Sequence, residues 1–217
     1  MIYDNHHPQL EDFYRSYIGH RNTAVFLKQV SEKYTQPTLL RLAISGSVGT
    51  RRGVLTALTF IGDYEANDTF GRLLYDQDFG VRSLAEYGIK NIWTRGGDET
   101  QRSKLCEIMR LIAAADYDEA IRAANVMVEE VPDFAEVRNQ RCIALFATKQ
   151  YEDAIADGIE VMLINKYHFG AAIGVAHAYQ FLGDLTRAYS SYKRALSINP
   201  NLDNAKRQML KLSKMLD

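Results

Sequence analysis

The chain has 217 residues, 47% of them apolar and 24% charged, the balance of an ordinary globular protein. Lys and Arg together number 26 against 27 for Asp and Glu, a net charge of -1; nothing advertises the basic face that displaces counterions from nucleic acid. Four prolines, little strand-like alternation and many Ala and Leu at helical spacing point to an all-α protein.

The first segment, Met1 to Leu10, carries Asp4, His6 and His7 and has no apolar core, so it does not read as a secretory signal. No run approaches the length of a membrane span, and a cytoplasmic protein with no membrane association is expected. The adjacent His6 and His7 are weak metal ligands in a terminal segment, and no metal or cofactor is expected. Residues 11 to 34 show two apolar stripes, Phe13, Tyr17 and Ile18, then Val25, Phe26, Val30 and Tyr34. Residues 1–36 are therefore expected to form capping helices.

A period of 31 residues follows. Thr38-Leu-Leu-Arg41-Leu42 aligns with Thr69-Phe-Gly-Arg72-Leu73, and Gly49-Thr-Arg51 aligns with Gly80-Val-Arg82. Leu58 and Ile61 align with Ile89 and Ile92. Residues 37–93 are similar to HEAT-like repeats. The resemblance implies a bond between an interhelical Asp, here Asp76 or Asp78, and an Arg of the following helix, here Arg82. Ser45 and Ser47 stand in the earlier unit, where that ladder is broken. The segment Gly46 to Gly53 is the nearest approach to a phosphate loop, but it lacks the lysine; the repeat phase makes it an interhelical turn, with Arg51 and Arg52 as minor candidates for an anion. Residues 94–100 are the junction. Their glycines end one helix, and Asp98 or Thr100 caps the next. Trp93 is expected to be core at that joint, and the short junction favours one continuous superhelix.

The second half repeats at 34 residues. Tyr117-Asp-Glu-Ala120-Ile121 returns as Tyr151-Glu-Asp-Ala154-Ile155 and as Leu185-Thr-Arg-Ala188-Tyr189. Pro132 and Pro200 share a phase, with Lys166 between them. Three units span 101–134, 135–168 and 169–202, each two helices, with small residues (Ala120, Ala154, Ala188, Ala195) where helices approach and Gly183 at a tight turn. The stretch Ala176 to Ala188, with Ala195 and Pro200, resembles the tetratricopeptide family. The middle unit departs from it, with Arg138, Arg141 and Cys142 replacing the usual aromatic, leucine and small residue. Residues 203–217 read as a capping helix with Ala205, Met209, Leu212 and Leu216 on one face, since an open solenoid end exposes core. The expected fold is an all-α right-handed α-solenoid of antiparallel helix pairs.

No His-Glu-x-x-His, Cys-x-x-Cys or Gly-x-Ser-x-Gly occurs, and an enzyme is not expected. Cys106 and Cys142 are read as unpaired residues in a reducing compartment. The tetratricopeptide resemblance implies a concave face lined by the first helix of each unit. Its candidate residues are Arg102 and Met109, then Glu136, Asn139 and Ile143, then Gly170, Ile173, His177 and Gln180. Leu105, Ile112 and Phe146 share the phase and are expected to pack between helices. Gly170 and Gly174 leave room for a partner. The lysine and asparagine clamp that some family members use on a chaperone tail has no counterpart at Leu105, Met109, Gln140, Gly170 and Gly174. The expectation is an interaction scaffold for a protein or peptide, monomeric or weakly self-associating, without nucleic acid. Self-assembly and a HEAT-like enzyme or enzyme accessory are the alternatives.

Overall fold

The structure is a computed structural model and describes residues 9–216; His6 and His7 lie outside them. Thirteen α-helices and one 3-10 turn account for the described elements, with no strand among them. The chain divides between Ile92 and Trp93 into two compact units.

The first unit holds α1 (Gln9–His20), α2 (Thr23–Lys33), α3 (Gln36–Ser45), α4 (Val48–Ile61), a 3-10 turn (Tyr64–Ala66), α5 (Asn67–Leu73) and most of α6 (Phe79–Trp93). The 31-residue period appears as helix starts: α3 and α5 begin at 36 and 67, α4 and α6 at 48 and 79. Helix α4 is the centre, with Val54, Leu55, Ala57 and Leu58 fully buried. Two of its buried threonines return their hydroxyls to the helix, Thr56 to Arg52 O and Thr59 to Leu55 O. Helix α1 lies against α4 because two glycines let it approach. A Cβ on Gly49 would sit 2.7 Å from the Glu11 side chain, and one on Gly53 would be 3.1 Å from Tyr14.

Three sequence expectations change here. Gly49 and Gly53 belong to α4 rather than to a turn; only Gly46 and Ser47 separate α3 from α4. Ile18 and Val25 point outward, 45% and 49% exposed, and the inner stripe is Leu10, Phe26 and Val30, with Tyr17 stacked on Phe26 at 5.0 Å. The aspartates of the 74–78 loop take their arginines from α4. Arg51 meets Asp76 at 2.8 Å and Arg52 meets Asp78 at 2.8 Å, while Arg82 donates to the backbone carbonyls of Asp76 and Gln77. The two candidate anion-binding arginines thus hold carboxylates of the chain itself. Asp78 also caps α6 by accepting from Val81 N. Burial raises its carboxyl pKa, but that cap and Arg52 outweigh it and leave the group below its usual range.

The second unit holds α7 (Glu99–Ala113), α8 (Tyr117–Glu130), α9 (Ala135–Ala147), α10 (Tyr151–Ile164), α11 (Phe169–Phe181), α12 (Leu185–Ile198) and α13 (Asp203–Leu216). The second helices begin at 117, 151 and 185, and α9 and α11 at 135 and 169, on the 34-residue phase. Helix α7 starts two residues ahead of that phase, where Asp98 and Gln101 form a capping box. The turn inside each repeat unit passes through one left-handed residue, Ala115, Lys149 and Gly183 in turn. After each, the next N–H reaches back over the turn: Asp116 N to Leu111 O, Gln150 N to Leu145 O and Asp184 N to Tyr179 O. Ala120, Ala154 and Ala188 are 0%, 1% and 0% exposed, so the small residues do lie where helices meet.

Helix α13 repeats the first-helix phase. Val137, Ala171 and Ala205 stand at one place in that phase, all buried; Ala144, Ala178 and Leu212 form a second buried column. Ala205 and Leu212 pack with Ala176, Ala188 and Tyr192, as the cap reading requires. Leu216, expected on that inner face, is 45% exposed.

Candidate functional site

Helices α9 and α11 bring most of the sequence-predicted contact residues to one face. Asn139, Ile173, His177, Gln180 and Gly170 are half-buried, and Ile143 is 42% exposed. Met109, on α7, is 37% exposed. Arg102 acts locally, its Nη1 donating to Gly97 O at 2.6 Å. The same bond recurs from Arg51 to Gly46 O and from Arg82 to Gln77 O. In each case the fourth helical residue ties down the loop five residues back. Leu105 is fully buried, as expected of a packing residue.

Glu136 differs from its neighbours in the predicted set. It is 5% exposed, and its carboxylate is shared within the fold. Oε1 accepts from Gln140 Nε2 at 2.6 Å and Asn139 Nδ2 at 3.0 Å. Oε2 lies 3.1 Å from Nε2 of His168, itself 1% exposed. Nδ1 of His168 accepts from Ala171 N at the start of α11, so Nδ1 carries no proton and Nε2 is the donor to Glu136. The imidazole stacks on Trp93 at 3.9 Å, and Trp93 also meets the edge of Phe169. Trp93 is 5% exposed, a core residue. Glu136 therefore orients Asn139 and does not itself present a free carboxylate.

Beyond the predicted set lies an aromatic cluster at the far end of the same helices. Phe146 meets Phe181 edge-on at 5.3 Å and Tyr151 at 5.4 Å, and Tyr151 stacks on Phe181. Phe181 is 66% exposed. His177 lies between Phe146 and Tyr192, and burial holds its imidazole below the usual range. Tyr192 donates its hydroxyl to Gln180 Oε1 at 2.6 Å, and burial pushes the phenol up to about 12. Helix α11 contains no charged side chain, so this part of the face is neutral and apolar. Phe181 was open to detection from the sequence, since it falls at the exposed end of α11.

Two clefts on the side of the second helices repeat at 34 residues. One, of about 330 Å³, is lined by Asn125, Arg141, Leu145, Asp153 and Asp157 among others. The other, of about 260 Å³, has Ile159, Val175, Tyr179, Arg187 and Ser191 at the corresponding places. One geometry thus carries a polar lining in the first cleft and a largely apolar one in the second. Arg141, in the polar cleft, and Arg138 both approach Asp157. They account for the departure of the middle unit from the usual pattern: the arginines replace core residues because a buried carboxylate receives them. No group of acidic, Cys and His side chains fit to hold a metal occurs among the described residues, and none of their helices is long and apolar enough to cross a membrane.

Among solved structures the chain is similar to the first TPR of Spaghetti (RPAP3) bound to the HSP90 peptide SRMEEVD. The identity is 22% and the TM-score 0.52, over 55% of this chain and 95% of that one. The TPR2AB domain of yeast Sti1, in its pHSP90 complex, matches over 94% of this chain and 97% of its own at 16% identity and TM-score 0.49. MamA MSR-1 matches over 70% and 86% at 15% identity and TM-score 0.48. No protein-family model matches the sequence. The first likeness, with the repeat geometry above, defines the fold as an all-helical α-solenoid with TPR-like repeats.

Proposed function

We propose that the chain is a non-catalytic interaction scaffold, and that the first-helix face of its TPR-like units receives an extended or helical peptide with apolar anchors. The supporting observation is the single face on which Ile143, Ile173, His177 and Phe181 stand partly exposed beside the amide of Asn139. An apolar, charge-free surface offers apolar side chains a dry seat, and an amide binds peptide backbone without regard to sequence. The proposed contact set is Met109, Asn139, Ile143, Gly170, Ile173, His177 and Gln180, with Arg102 at its rim and Glu136 holding Asn139. The neighbour of this fold was solved with an HSP90 peptide, which supports peptide binding as a class of function; the clamp residues for such a tail have no counterpart here, and another peptide is expected. Residues 37–93 are read as a HEAT-like block, in a cytoplasmic setting.

The test is affinity capture with the wild-type protein beside Asn139→Arg/His177→Glu, both checked by circular dichroism. A polypeptide retained by the wild type and lost by the variant is the expected result. Equal retention places the contact elsewhere and sinks this assignment of the face. Self-assembly is a second reading, favoured by Leu210 and Met215 on α13, 60% and 58% exposed. Light scattering over a concentration series separates it from a monomeric scaffold.

A further inference from the structure

The two clefts beside the second helices share a geometry, yet the chain fills only one of them with its own polar network. In the first, Arg141 lies between Asp157 and Asn125 and bonds to both, and the charge of Asp153 adds to its hold. Adding 34 to the positions of Arg141, Asp157, Asn125 and Asp153 gives Val175, Ser191, Ile159 and Arg187, all of which line the second cleft. Every member of the network is therefore replaced. The guanidinium becomes an aliphatic side chain, the carboxylate that received it becomes a hydroxyl, and the flanking acid becomes a cation. A further position changes in the same sense, from Glu160 to Arg194.

What remains is an apolar trough with cations along one edge. No acidic residue lines it. The hydroxyls of Ser190 and Ser191 donate to carbonyls of their own helix. Arg187 is engaged, paired with Asp184 at 3.2 Å and lying over the ring of Tyr179. Arg194 is exposed and makes no ion pair among the described residues, so it is the cation left for a ligand. It stands two turns beyond Arg187, roughly 10 Å along the axis of α12.

We propose that this cleft binds a free medium-chain aliphatic carboxylate, with the carboxylate on Arg194 and the chain running over Ile159, Met162 and Val175 towards Tyr179. Small-molecule sites have this composition, a mostly apolar lining with a few polar groups that fix orientation. A guanidinium meets a carboxylate with two parallel N–H bonds. The cleft volume is about 260 Å³. An apolar cavity of about 150 Å³ takes the six carbons of benzene, so this one takes a chain of about ten. A peptide is the poorer occupant, because the lining has no amide or carboxylate to accept from a buried backbone N–H. The cleft lies apart from the first-helix face, and neither reading depends on the other.

The experiment is isothermal titration calorimetry of the full-length protein with straight-chain carboxylates below their micelle concentrations. The expected result is saturable binding of decanoate, with affinity rising up to about fourfold per methylene from hexanoate to decanoate and levelling off in longer chains. Arg194→Glu weakens decanoate about tenfold and leaves 1-decanol unchanged. Ile159→Asn, which puts an amide on the apolar wall, weakens both. Both positions are partly or fully exposed, and circular dichroism verifies the fold of each variant. Absence of saturable decanoate binding by the wild type overturns the proposal. Binding that neither substitution changes also overturns it, by placing the chain on another surface such as Phe146 and Phe181. Equal affinity of the wild type for decanoate and 1-decanol removes Arg194 as the carboxylate's partner. None of these outcomes bears on the capture experiment for the first-helix face.

Discussion

Asp157 holds the guanidinium of Arg141 by two arms, Nε at 2.7 Å and Nη2 at 2.6 Å, inside the second TPR-like unit. Asn125 accepts from the remaining Nη1 at 2.9 Å, so α8, α9 and α10 are tied through one side chain. The hydrogen bond to Asp157 raises the arginine pKa above its ordinary value, against the opposing effect of burial. Asp157 is 4% exposed, and removing Arg141 leaves this buried carboxylate only the longer contact to Arg138, at 3.7 Å. Arg141→Ala is expected to cost roughly 3 kcal/mol, and Arg141→Leu with Asp157→Ala to recover most of that loss, because apolar groups replace a desolvated pair at little cost. Urea midpoints of the two variants check this; a double variant no more stable than Arg141→Ala would contradict it.

The three turns offer an internal comparison. Ala115, Lys149 and Gly183 all have left-handed backbone, with φ of 60°, 65° and 79°, and only the last lacks the Cβ that makes this region costly. Ala115→Gly and Lys149→Gly are each expected to stabilise the protein by about 0.5 kcal/mol, and Gly183→Ala to cost about 1 kcal/mol. Thermal unfolding of the three variants reads the signs directly.

The cysteines should react in a fixed order. Cys106 is exposed, whereas Cys142 is buried and donates its thiol to Ala154 O. Burial, reinforced by the Asp157 charge, pushes the Cys142 thiol up to about 12, so it holds almost no thiolate near neutrality. Iodoacetamide at neutral pH is expected to label Cys106 in the folded protein and Cys142 only on unfolding. Mass spectrometry of tryptic peptides decides; early modification of Cys142 would show an open core.

Stability should respond to acid through His177. Burial keeps its folded-state pKa below the ordinary 6.5. As pH falls through that ordinary value, the unfolded chain takes up the proton first and is favoured. The contribution of the neutral, buried ring is thus fully present above about 6.5 and declines as pH falls towards the folded-state pKa. His177→Gln is expected to flatten this part of the profile. Denaturation midpoints at about pH 7.5 and about pH 5.5 for both proteins would test it, and parallel profiles would remove His177 as the cause.

Much of the second unit was legible because its determinants are local. Ala120, Ala154 and Ala188 mark close helix contacts wherever they recur, and a turn residue every 34 positions sets the phase whatever lies around it. The 31-residue period likewise survives as the spacing of helix starts. Partners were less legible. Asp76 and Asp78 stood close to Arg82 in sequence, yet their carboxylates meet Arg51 and Arg52, 25 and 26 residues earlier.

The sequence by itself determined the repeating helix pairs and the column of residues on each first helix, since periodicity and turn chemistry act over a few residues. Only the tertiary structure decided what each column does. Stacking turned Glu136 inward to His168, 32 residues away, because a buried imidazole N–H needs an acceptor. It joined Phe146, Tyr151 and Phe181 into one aromatic surface. Such pairings depend on which helices lie side by side, and that is fixed by burial of apolar surface across the whole stack, not by any local stretch of chain.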